Sequence, residues 1–359
     1  MAASSSTSRI VPCICAHTCS KAYVTTPSYP KSSLLQGVDF RWQGGKIENK
    51  LFEEEIIDKG AGSPYWHRYL VTDPALVAKV IREEHIASRG LRLHLDVYQR
   101  EDDAPTILFI PGTGAHARCY AEFLFQLHRQ GFRVVGIDLQ GHGLSEGMRG
   151  SFTIEELVEN IYDVTTWAVE RYGGRVGISG SSLGGVLAFY AVANDPRLGS
   201  AVCHNVAVLS EPDCLRLTRA PNLLRTILPL GHLAAWLLPE LRLTIWLYLD
   251  PQTITDEPRI LETFVDDPLT LQALPLCSIV SQSQAAPARP IEQIETPIMV
   301  LHAEGDRIFP LDYCRAIYDR LTCPKRFKLI PGADHLVFAP PYLARSLPPL
   351  ADWFRETLG

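Results

Sequence analysis

Short, continuously apolar segments alternate with longer segments of helical periodicity from residue 106 onward. Thr106–Ile110 is one such apolar run, and the apolar positions between Ile154 and Ala168 follow a Thr153-x-x-Glu156 capping sequence at helical spacing. Continuous apolar runs are typical of parallel strands that are covered on both faces. The alternation therefore predicts an α/β protein with a mostly parallel central sheet flanked by helices.

The same pattern predicts further strands and helices on both sides of residues 207–295. A strand begins at Val176 and runs towards Ser182. Helices are predicted at about 115–129, 311–321 and 342–357. The other predicted strands are Arg133–Asp138, Ala201–Cys203, Pro297–His302 and Arg326–Ile330.

The segment before residue 104 has a weaker pattern. Apolar positions from Pro74 to Glu84 predict a short helix, and the alternation in Leu91–Tyr98 predicts a half-buried antiparallel strand. His94 falls on the polar side of that alternation, so we expect its side chain to be solvated.

Residues 1–38 differ in composition from the rest of the chain. They are rich in Ser and Thr, carry few charges and contain no acidic residue before Asp39. This composition favours a disordered tail, in which Cys13, Cys15 and Cys19 would be free thiols. A cytoplasmic protein is the first expectation, and a transit peptide in this acid-poor, Ser-rich tail is the alternative.

Charge and cysteine content exclude several classes of function. A net charge of −6 gives no basic surface typical of nucleic-acid binding. The nine cysteines are scattered without a C-x-x-C pair, which indicates neither a zinc motif nor a disulfide framework. We therefore expect no nucleic-acid partner, no metal and no organic cofactor.

Residues 207–295 form a segment without a clear strand signal. Its part from Asn222 to Leu249 is very apolar, but Pro229, Gly231 and Pro239 interrupt it. No run of about 20 apolar residues long enough to span a bilayer remains. The pattern favours a helical cap that offers an apolar acyl-chain pocket and could touch a membrane surface. In the alternative, these helices only pack on the sheet.

A G-x-S-x-G sequence at Gly180, Ser182 and Gly184 joins a predicted strand to a predicted helix. Glycines on both sides of the serine permit a sharp turn that exposes its Oγ, a strand–turn–helix nucleophile motif. The backbone N–H of Leu183 would point towards the group that the serine attacks.

An acid and a histidine follow later strands in the same arrangement. Asp306 comes after the predicted strand Pro297–His302, and His335 comes after Arg326–Ile330. Because reactive loops collect at the carboxyl ends of parallel strands, Ser182, Asp306 and His335 are expected to meet in space.

Four sequence features match one known family. They are Pro111-Gly112-Thr113-Gly114-Ala115-His116, Asp138-Leu139-Gln140-Gly141-His142-Gly143-Leu144-Ser145-Glu146-Gly147, Gly180-Ser181-Ser182-Leu183-Gly184-Gly185 and the Asp306/His335 pair. With these, the chain from about Arg89 to its end resembles α/β-hydrolases of the monoacylglycerol lipase and lysophospholipase type. The strand and helix pattern, taken with this resemblance, predicts an α/β-hydrolase core at 39–206 and 296–359, with a helical cap inserted at 207–295. The resemblance itself covers neither the first 90 residues nor the sequence of the cap.

The resemblance also implies roles for individual residues. Ser182 would be the nucleophile, His335 the general base and then acid, and Asp306 the group that orients the imidazole. The backbone N–H groups of Thr113 and Leu183 would form the oxyanion hole. One departure is Pro111, since such families usually carry His before this glycine; it affects the expected shape of the oxyanion loop.

The implied function is a serine hydrolase that cleaves medium- or long-chain acyl esters, such as a monoglyceride, through an acyl-enzyme. Its partner would be a small-molecule acyl ester. Ser at position 182 argues against epoxide hydrolases and dehalogenases, which attack through a carboxylate. The open alternatives are an aminopeptidase or amidase, an acyltransferase on the same scaffold, and a non-catalytic ligand receptor with this fold.

Overall fold

A computed structural model of the chain describes residues 40–43, 46–49, 64–101, 103–247 and 249–359. The predicted tail, residues 1–38 with Cys13, Cys15 and Cys19, lies outside them, and a cytoplasmic location stays a prediction. Among the described helices, none has both the length and the apolar character that a membrane span requires.

The described residues contain twelve strands, numbered in chain order. They are β1 (Phe40–Gln43), β2 (Lys46–Asn49), β3 (Ile81–Ser88), β4 (Leu91–Tyr98), β5 (Thr106–Ile110), β6 (Arg133–Ile137), β7 (Val176–Ser181), β8 (Leu198–His204), β9 (Arg242–Thr244), β10 (Ala273–Pro275), β11 (Ile298–Ala303) and β12 (Lys325–Ile330).

Eight of these strands form one sheet in the order β12-β11-β8-β7-β5-β6-β4-β3. Neighbours from β12 to β6 are parallel, whereas β4 pairs antiparallel with both β6 and β3. The predicted, mostly parallel central sheet is confirmed. β1 with β2 and β9 with β10 form two separate antiparallel pairs.

The described part of the chain also contains ten α-helices, numbered in the same way. They are α1 (Pro74–Ala78), α2 (Ala121–Arg129), α3 (Ile154–Tyr172), α4 (Leu183–Asn194), α5 (Pro221–Leu237), α6 (Pro251–Ile254), α7 (Pro258–Val265), α8 (Leu276–Gln282), α9 (Leu311–Arg320) and α10 (Leu343–Leu358). Short 3₁₀ turns cover Pro64–Tyr69, Ala117–Tyr120, Pro212–Leu217, Ile245–Leu247, Ile291–Gln293 and Pro340–Tyr342.

Alternate residues of the central strands enter two different hydrophobic clusters. Leu108 of β5 packs with side chains of α3, α4 and α9, while Ile107 and Phe109 pack with those of α2 and α10. Successive strand residues point to opposite faces of a sheet. Helices therefore cover both faces of the sheet, as the sequence predicts.

The predicted helix from Pro74 to Glu84 is wrong in its second half. Helix α1 ends at Ala78, and β3 begins at Ile81. β3 pairs with β4 along its whole length, from Ile81 opposite Tyr98 to Ser88 opposite Leu91. This strand pairing overrides the local helical pattern.

The prediction that His94 is solvated is also wrong, since both His94 and Asp96 are buried. The Nδ1 atom of His94 lies 3.1 Å from Oδ2 of Asp138, and Arg118 donates from Nε to Asp96 across 2.9 Å. Burial disfavours the charged imidazole, but Asp96 and Asp138 outweigh it and raise the pKa of His94 to about 10. His94 and Asp96 of β4 thus face a charged network instead of solvent, whereas Arg92 of the same strand is exposed.

Residues 207–295, expected to be the cap, lie between β8 and β11. They contain helices α5 to α8 and the short strands β9 and β10, where the sequence shows no clear strand. Helix α5 buries little of its surface: Ala235 alone among its residues is classed as buried. Large apolar side chains of this segment are exposed, namely Leu223, Ile227, Leu230, Leu233, Trp236, Leu237, Leu238, Leu241, Leu247 and Val265.

Candidate active site

Ser182 occupies a sharp turn between the end of β7 and the start of α4. Its φ of 56° lies in the left-handed region, which non-glycine residues rarely adopt. A Cβ on Gly180 would lie 2.0 Å from the carbonyl oxygen of Gly184, and one on Gly184 would lie 2.1 Å from that of Ile110. Both glycines are thus required for the close approach of backbone that holds this turn.

His335 and Asp306 are in direct contact. Nδ1 of His335 lies 2.8 Å from Oδ2 of Asp306. The other carboxylate oxygen, Oδ1, accepts hydrogen bonds from the backbone N–H groups of Ile308 and Phe309, each at 2.9 Å. Burial favours the neutral acid, but interaction with the His335 imidazole outweighs it and holds the pKa of Asp306 well below its usual value.

Two residues that the sequence analysis missed complete this environment. Asn205 donates from Nδ2 to Oδ2 of Asp306 across 2.8 Å. The ring of His204 lies 5.1 Å from that of His335, and burial lowers the pKa of His204 well below its usual value. Both residues come at the carboxyl end of β8, and this position is the only sequence signal that could have identified them.

Ser182 and His335 line the same cavity, which has a volume of about 420 Å³. Thr113 also lines it, and Leu183 begins α4 directly after Ser182. The size lies within the range of about 300–1,000 Å³ that is common for small-molecule sites. The 207–295 segment contributes mainly apolar side chains: Ile245, Trp246, Leu249, Ile254, Ile260, Leu261 and Phe264.

The loop that follows β5 is held on two sides. On one side, the hydroxyl of Tyr120 accepts a hydrogen bond from the N–H of Gly112 at 3.2 Å. On the other side, Leu271 donates its N–H to the carbonyl of Gly114 at 2.8 Å. The unusual Pro111 thus precedes a loop that is fixed by Tyr120 and by the 207–295 segment.

The motif at residues 138–147 surrounds the buried carboxylate of Asp138. This group accepts hydrogen bonds from the N–H of Ala117 at 2.8 Å and from the N–H of Leu144 at 2.9 Å. A Cβ on Gly143, whose φ is 49°, would lie 2.1 Å from Oδ2 of Asp138. The motif therefore stabilises the loops beside the cavity, and its residues do not line the cavity themselves.

Three groups of side chains within the described residues have the donor types and spacing of a metal site. One is His204, Asp306 and His335, already engaged with one another. A second is Glu83, His94 and Asp96, which belongs to the network around Arg118. The third, His116, Cys119 and Asp267, joins the 207–295 segment to the loop after β5.

The sequence model of the family Hydrolase_4, described as serine aminopeptidase, S33, matches residues 102–341, which is more than half of the chain. The chain belongs to this α/β-hydrolase family. The predicted α/β-hydrolase fold and the resemblance drawn from the motifs are thereby confirmed.

Named relatives agree with this membership. The chain is 25% identical over 273 residues to a monoacylglycerol lipase of Mycolicibacterium smegmatis, covering 74% of this chain and 93% of that protein. Its fold resembles the monoacylglycerol lipase of Paleococcus ferrophilus, with a TM-score of 0.59, 21% identity and coverage of 74% and 99%. A carboxyl esterase from Bacillus coagulans matches with a TM-score of 0.64, 15% identity and coverage of 78% and 99%.

Proposed function

We propose that this Hydrolase_4 member hydrolyses medium- or long-chain acyl esters through Ser182, His335 and Asp306. The protein is a carboxylic-ester hydrolase. The observation that carries the proposal is the 2.8 Å contact of His335 with Asp306 on the wall of the cavity that Ser182 also lines. Family membership and the similarity to a named monoacylglycerol lipase give independent support.

The chemistry follows from the three side chains. A serine hydroxyl is a weak nucleophile at neutral pH, so His335 accepts its proton as Ser182 attacks the ester carbonyl. The ionised Asp306 keeps the proton on Nδ1 and stabilises the imidazolium that forms. His335 then protonates the leaving alcohol, and water repeats the sequence on the acyl-enzyme.

In the proposed mechanism, the backbone N–H groups of Thr113 and Leu183 stabilise the oxyanion. Leu183 begins α4, whose N-terminus favours negative charge. Removing one donor of an oxyanion hole costs about 3–4 kcal/mol of barrier. Thr113 lies between two anchored glycines, Gly112 and Gly114, which supports a preorganised donor at this position.

We further propose that residues 207–295 act as a cap over a core formed by residues 39–206 and 296–359. Seven apolar side chains of the proposed cap line the cavity, which suits an acyl chain better than a polar substrate. The exposed apolar side chains of α5 support contact of this cap with a membrane surface that holds the substrate.

An aminopeptidase is the second candidate, because the family description names that activity. Recognition of a peptide N-terminus requires an acidic group, and Glu122 is the one acid among the described residues that line the cavity. Its Oε2 already accepts from the N–H groups of Val71 and Thr72, and its Oε1 accepts from Thr72 and Gln126. Because the carboxylate of Glu122 is already engaged in these hydrogen bonds, it is not free to bind a peptide N-terminus, which favours an ester substrate.

The test compares wild-type protein with Ser182→Ala on monoglycerides of increasing chain length, nitrophenyl esters and peptidyl amides. We expect ester turnover to disappear in the variant while its circular dichroism and melting temperature stay unchanged. A fluorophosphonate probe should label the wild-type protein only. Retained ester hydrolysis in Ser182→Ala would contradict the proposal. Transfer of the acyl group to an added alcohol instead of water would indicate an acyltransferase. A wild-type protein that is neither labelled nor active would indicate a ligand receptor.

A further inference from the structure

A second cluster of reactive side chains, outside the proposed catalytic residues, reaches the wall of the cavity through Cys119. His116 directly precedes the 3₁₀ turn after β5, Cys119 lies in that turn, and Asp267 comes from the 207–295 segment. One donor atom from each side chain lies within 4.8 Å of the others. Nε2 of His116 is 3.0 Å from Oδ2 of Asp267, to which the hydroxyl of Tyr69 donates across 2.7 Å.

The cluster is enclosed on most sides and open on one. His116 and Asp267 are almost fully buried, at 1% and 2% exposure. Cys119 is partly exposed, and both Cys119 and Tyr69 line the cavity. A small ion or reagent that enters the cavity can therefore reach the thiol without unfolding the chain.

The donor set selects the chemical class of the ligand. A thiolate, an imidazole and a carboxylate are the three ligand types of protein zinc sites, whereas magnesium and calcium prefer oxygen donors only. Zinc–ligand bonds are about 2.0–2.3 Å long, so two ligands on one tetrahedral ion lie about 3.3–3.8 Å apart. Because the three donors already lie within 4.8 Å, small side-chain shifts bring them to that spacing.

The imidazole is compatible with ligation. Nδ1 of His116 is buried and has no hydrogen-bond partner among the described residues, whereas Nε2 donates its proton to Oδ2 of Asp267 at 3.0 Å when no metal is bound. When a cation binds, it takes the place of that proton: the imidazole carries its proton on Nδ1, and the lone pair of Nε2 binds the cation. Tyr69 or a water molecule could supply the fourth ligand.

We propose that Cys119, His116 and Asp267 form a binding site for a zinc ion between the cap and the loop after β5. Binding replaces the proton of the Cys119 thiol by a sulfur–zinc bond, and that proton goes to solvent. Since the ligands belong to two segments far apart in the chain, the bound ion ties the cap to the core. An ion at this position also stands on the wall of the cavity that contains Ser182.

The experiment titrates the full-length, metal-free protein with zinc alone and follows heat release and melting temperature. Cys119→Ser removes the thiolate with little change of shape. Cys323→Ser is the matched control, because Cys323 is a buried cysteine in the loop between α9 and β12. We expect one ion per chain to bind at this site, to raise the melting temperature, and to bind more than about 100-fold more weakly in Cys119→Ser, since even outer-shell partners are worth about 10–100-fold.

Cobalt provides a readout that activity cannot. A thiolate ligand gives cobalt a charge-transfer absorption in the near ultraviolet, and this component should be lost in Cys119→Ser and retained in Cys323→Ser. The melting temperature of the metal-free Cys119→Ser protein serves as its folding control. Equal zinc affinity and equal cobalt spectra in wild type and Cys119→Ser would overturn the proposal. The cluster would then only form hydrogen bonds between the proposed cap and the core.

Discussion

At the residue scale, the charged side chains around Arg118 are paired with one another. Arg118 is bound by both oxygens of Asp96 and also contacts Glu83, and His94 bridges Glu83 and Asp138. Burying unpaired charge is costly, so each of these groups depends on the others. Asp138 extends the network to the loops on either side through its bonds to two backbone N–H groups.

This network predicts that the free energy of unfolding depends on pH through the protonation of His94. Its pKa of about 10 lies above the value near 6.5 of an unfolded histidine, so between these values the folded state keeps a proton that the unfolded chain has lost. The contribution of His94 is complete below pH 6.5 and is lost as the pH rises through about 10. The unfolding free energy should fall by up to about 1.4 kcal/mol per pH unit from this group.

Urea unfolding of wild type and His94→Gln from pH 6 to 10 checks this. We expect the difference in unfolding free energy between wild type and His94→Gln to shrink as the pH rises. His67→Gln, which alters a residue outside the network, should show the same dependence of the unfolding free energy on pH as the wild type. Parallel curves for wild type and His94→Gln would show that His94 is not held protonated.

The turn at Ser182 gives a second prediction at this scale. Gly184→Ala places a methyl group 2.1 Å from the backbone oxygen of Ile110, which cannot rotate away. We expect a loss of stability at or above the upper end of the ~1–3 kcal/mol that overpacking usually costs. Gly174→Ala is the matched control, because a Cβ there meets nothing within 4 Å. Equal thermal stability of the two variants would mean that the backbone at the turn can relax.

At the scale of elements, sequence patterns correctly predict those helix and strand ends that are fixed by interactions between neighbouring residues. The Thr153-x-x-Glu156 pattern places the start of α3, where both reciprocal capping hydrogen bonds form. The segment from Pro74 to Glu84 fails as a prediction, since pairing of β3 with β4 is a contact between strands that no helical periodicity reveals. β4 itself is found at Leu91–Tyr98 as predicted, but its polar residues His94 and Asp96 are buried by residues from other parts of the chain.

The same difference between local and long-range interactions explains which residues of the candidate site the sequence predicts. Ser182 and its glycines carry a motif, and Asp306 and His335 follow strand ends, so the sequence indicates all three. Asn205 bonds to Asp306, and Asp267 bonds to His116 across 151 positions of chain. Such contacts join residues that are far apart in the chain, so no sequence motif predicts them.

One arginine joins the proposed cap to the core at this scale. Arg149 donates to the carbonyl of Gly143 at 3.1 Å and to that of Leu269 at 2.6 Å. Arg149→Met keeps much of the side-chain volume but leaves these partly buried carbonyls without a donor, at a cost of about 1–3 kcal/mol. Hydrogen exchange should show faster opening around residues 267–271 than in the control Arg289→Met, whose arginine is exposed in the same segment. Unchanged exchange in Arg149→Met would show that other contacts hold the cap.

At the scale of the whole molecule, two sets of apolar side chains in the proposed cap lie on different surfaces. One set lines the cavity beside Ser182, and the other set faces outward on α5. Leu223, Leu230 and Leu237 are spaced seven residues apart, so they share one face of that helix. Each is more than half exposed. This distribution would suit an enzyme whose substrate moves from a membrane into the cavity beside Ser182.

The outward face therefore predicts binding to lipid vesicles. Leu230→Ser with Leu237→Ser removes two side chains whose full burial is worth about 1.5–3 kcal/mol each, so vesicle affinity should fall by about tenfold or more. Hydrolysis of a monoglyceride embedded in vesicles should fall with it, while turnover of a short soluble ester stays unchanged, because neither leucine lines the cavity. Leu311→Ser, which alters a leucine on α9 that is 41% exposed, is the control and should bind vesicles like wild type. If co-sedimentation with vesicles is equal in all three proteins, the face has another partner, and the substrate reaches Ser182 from solution.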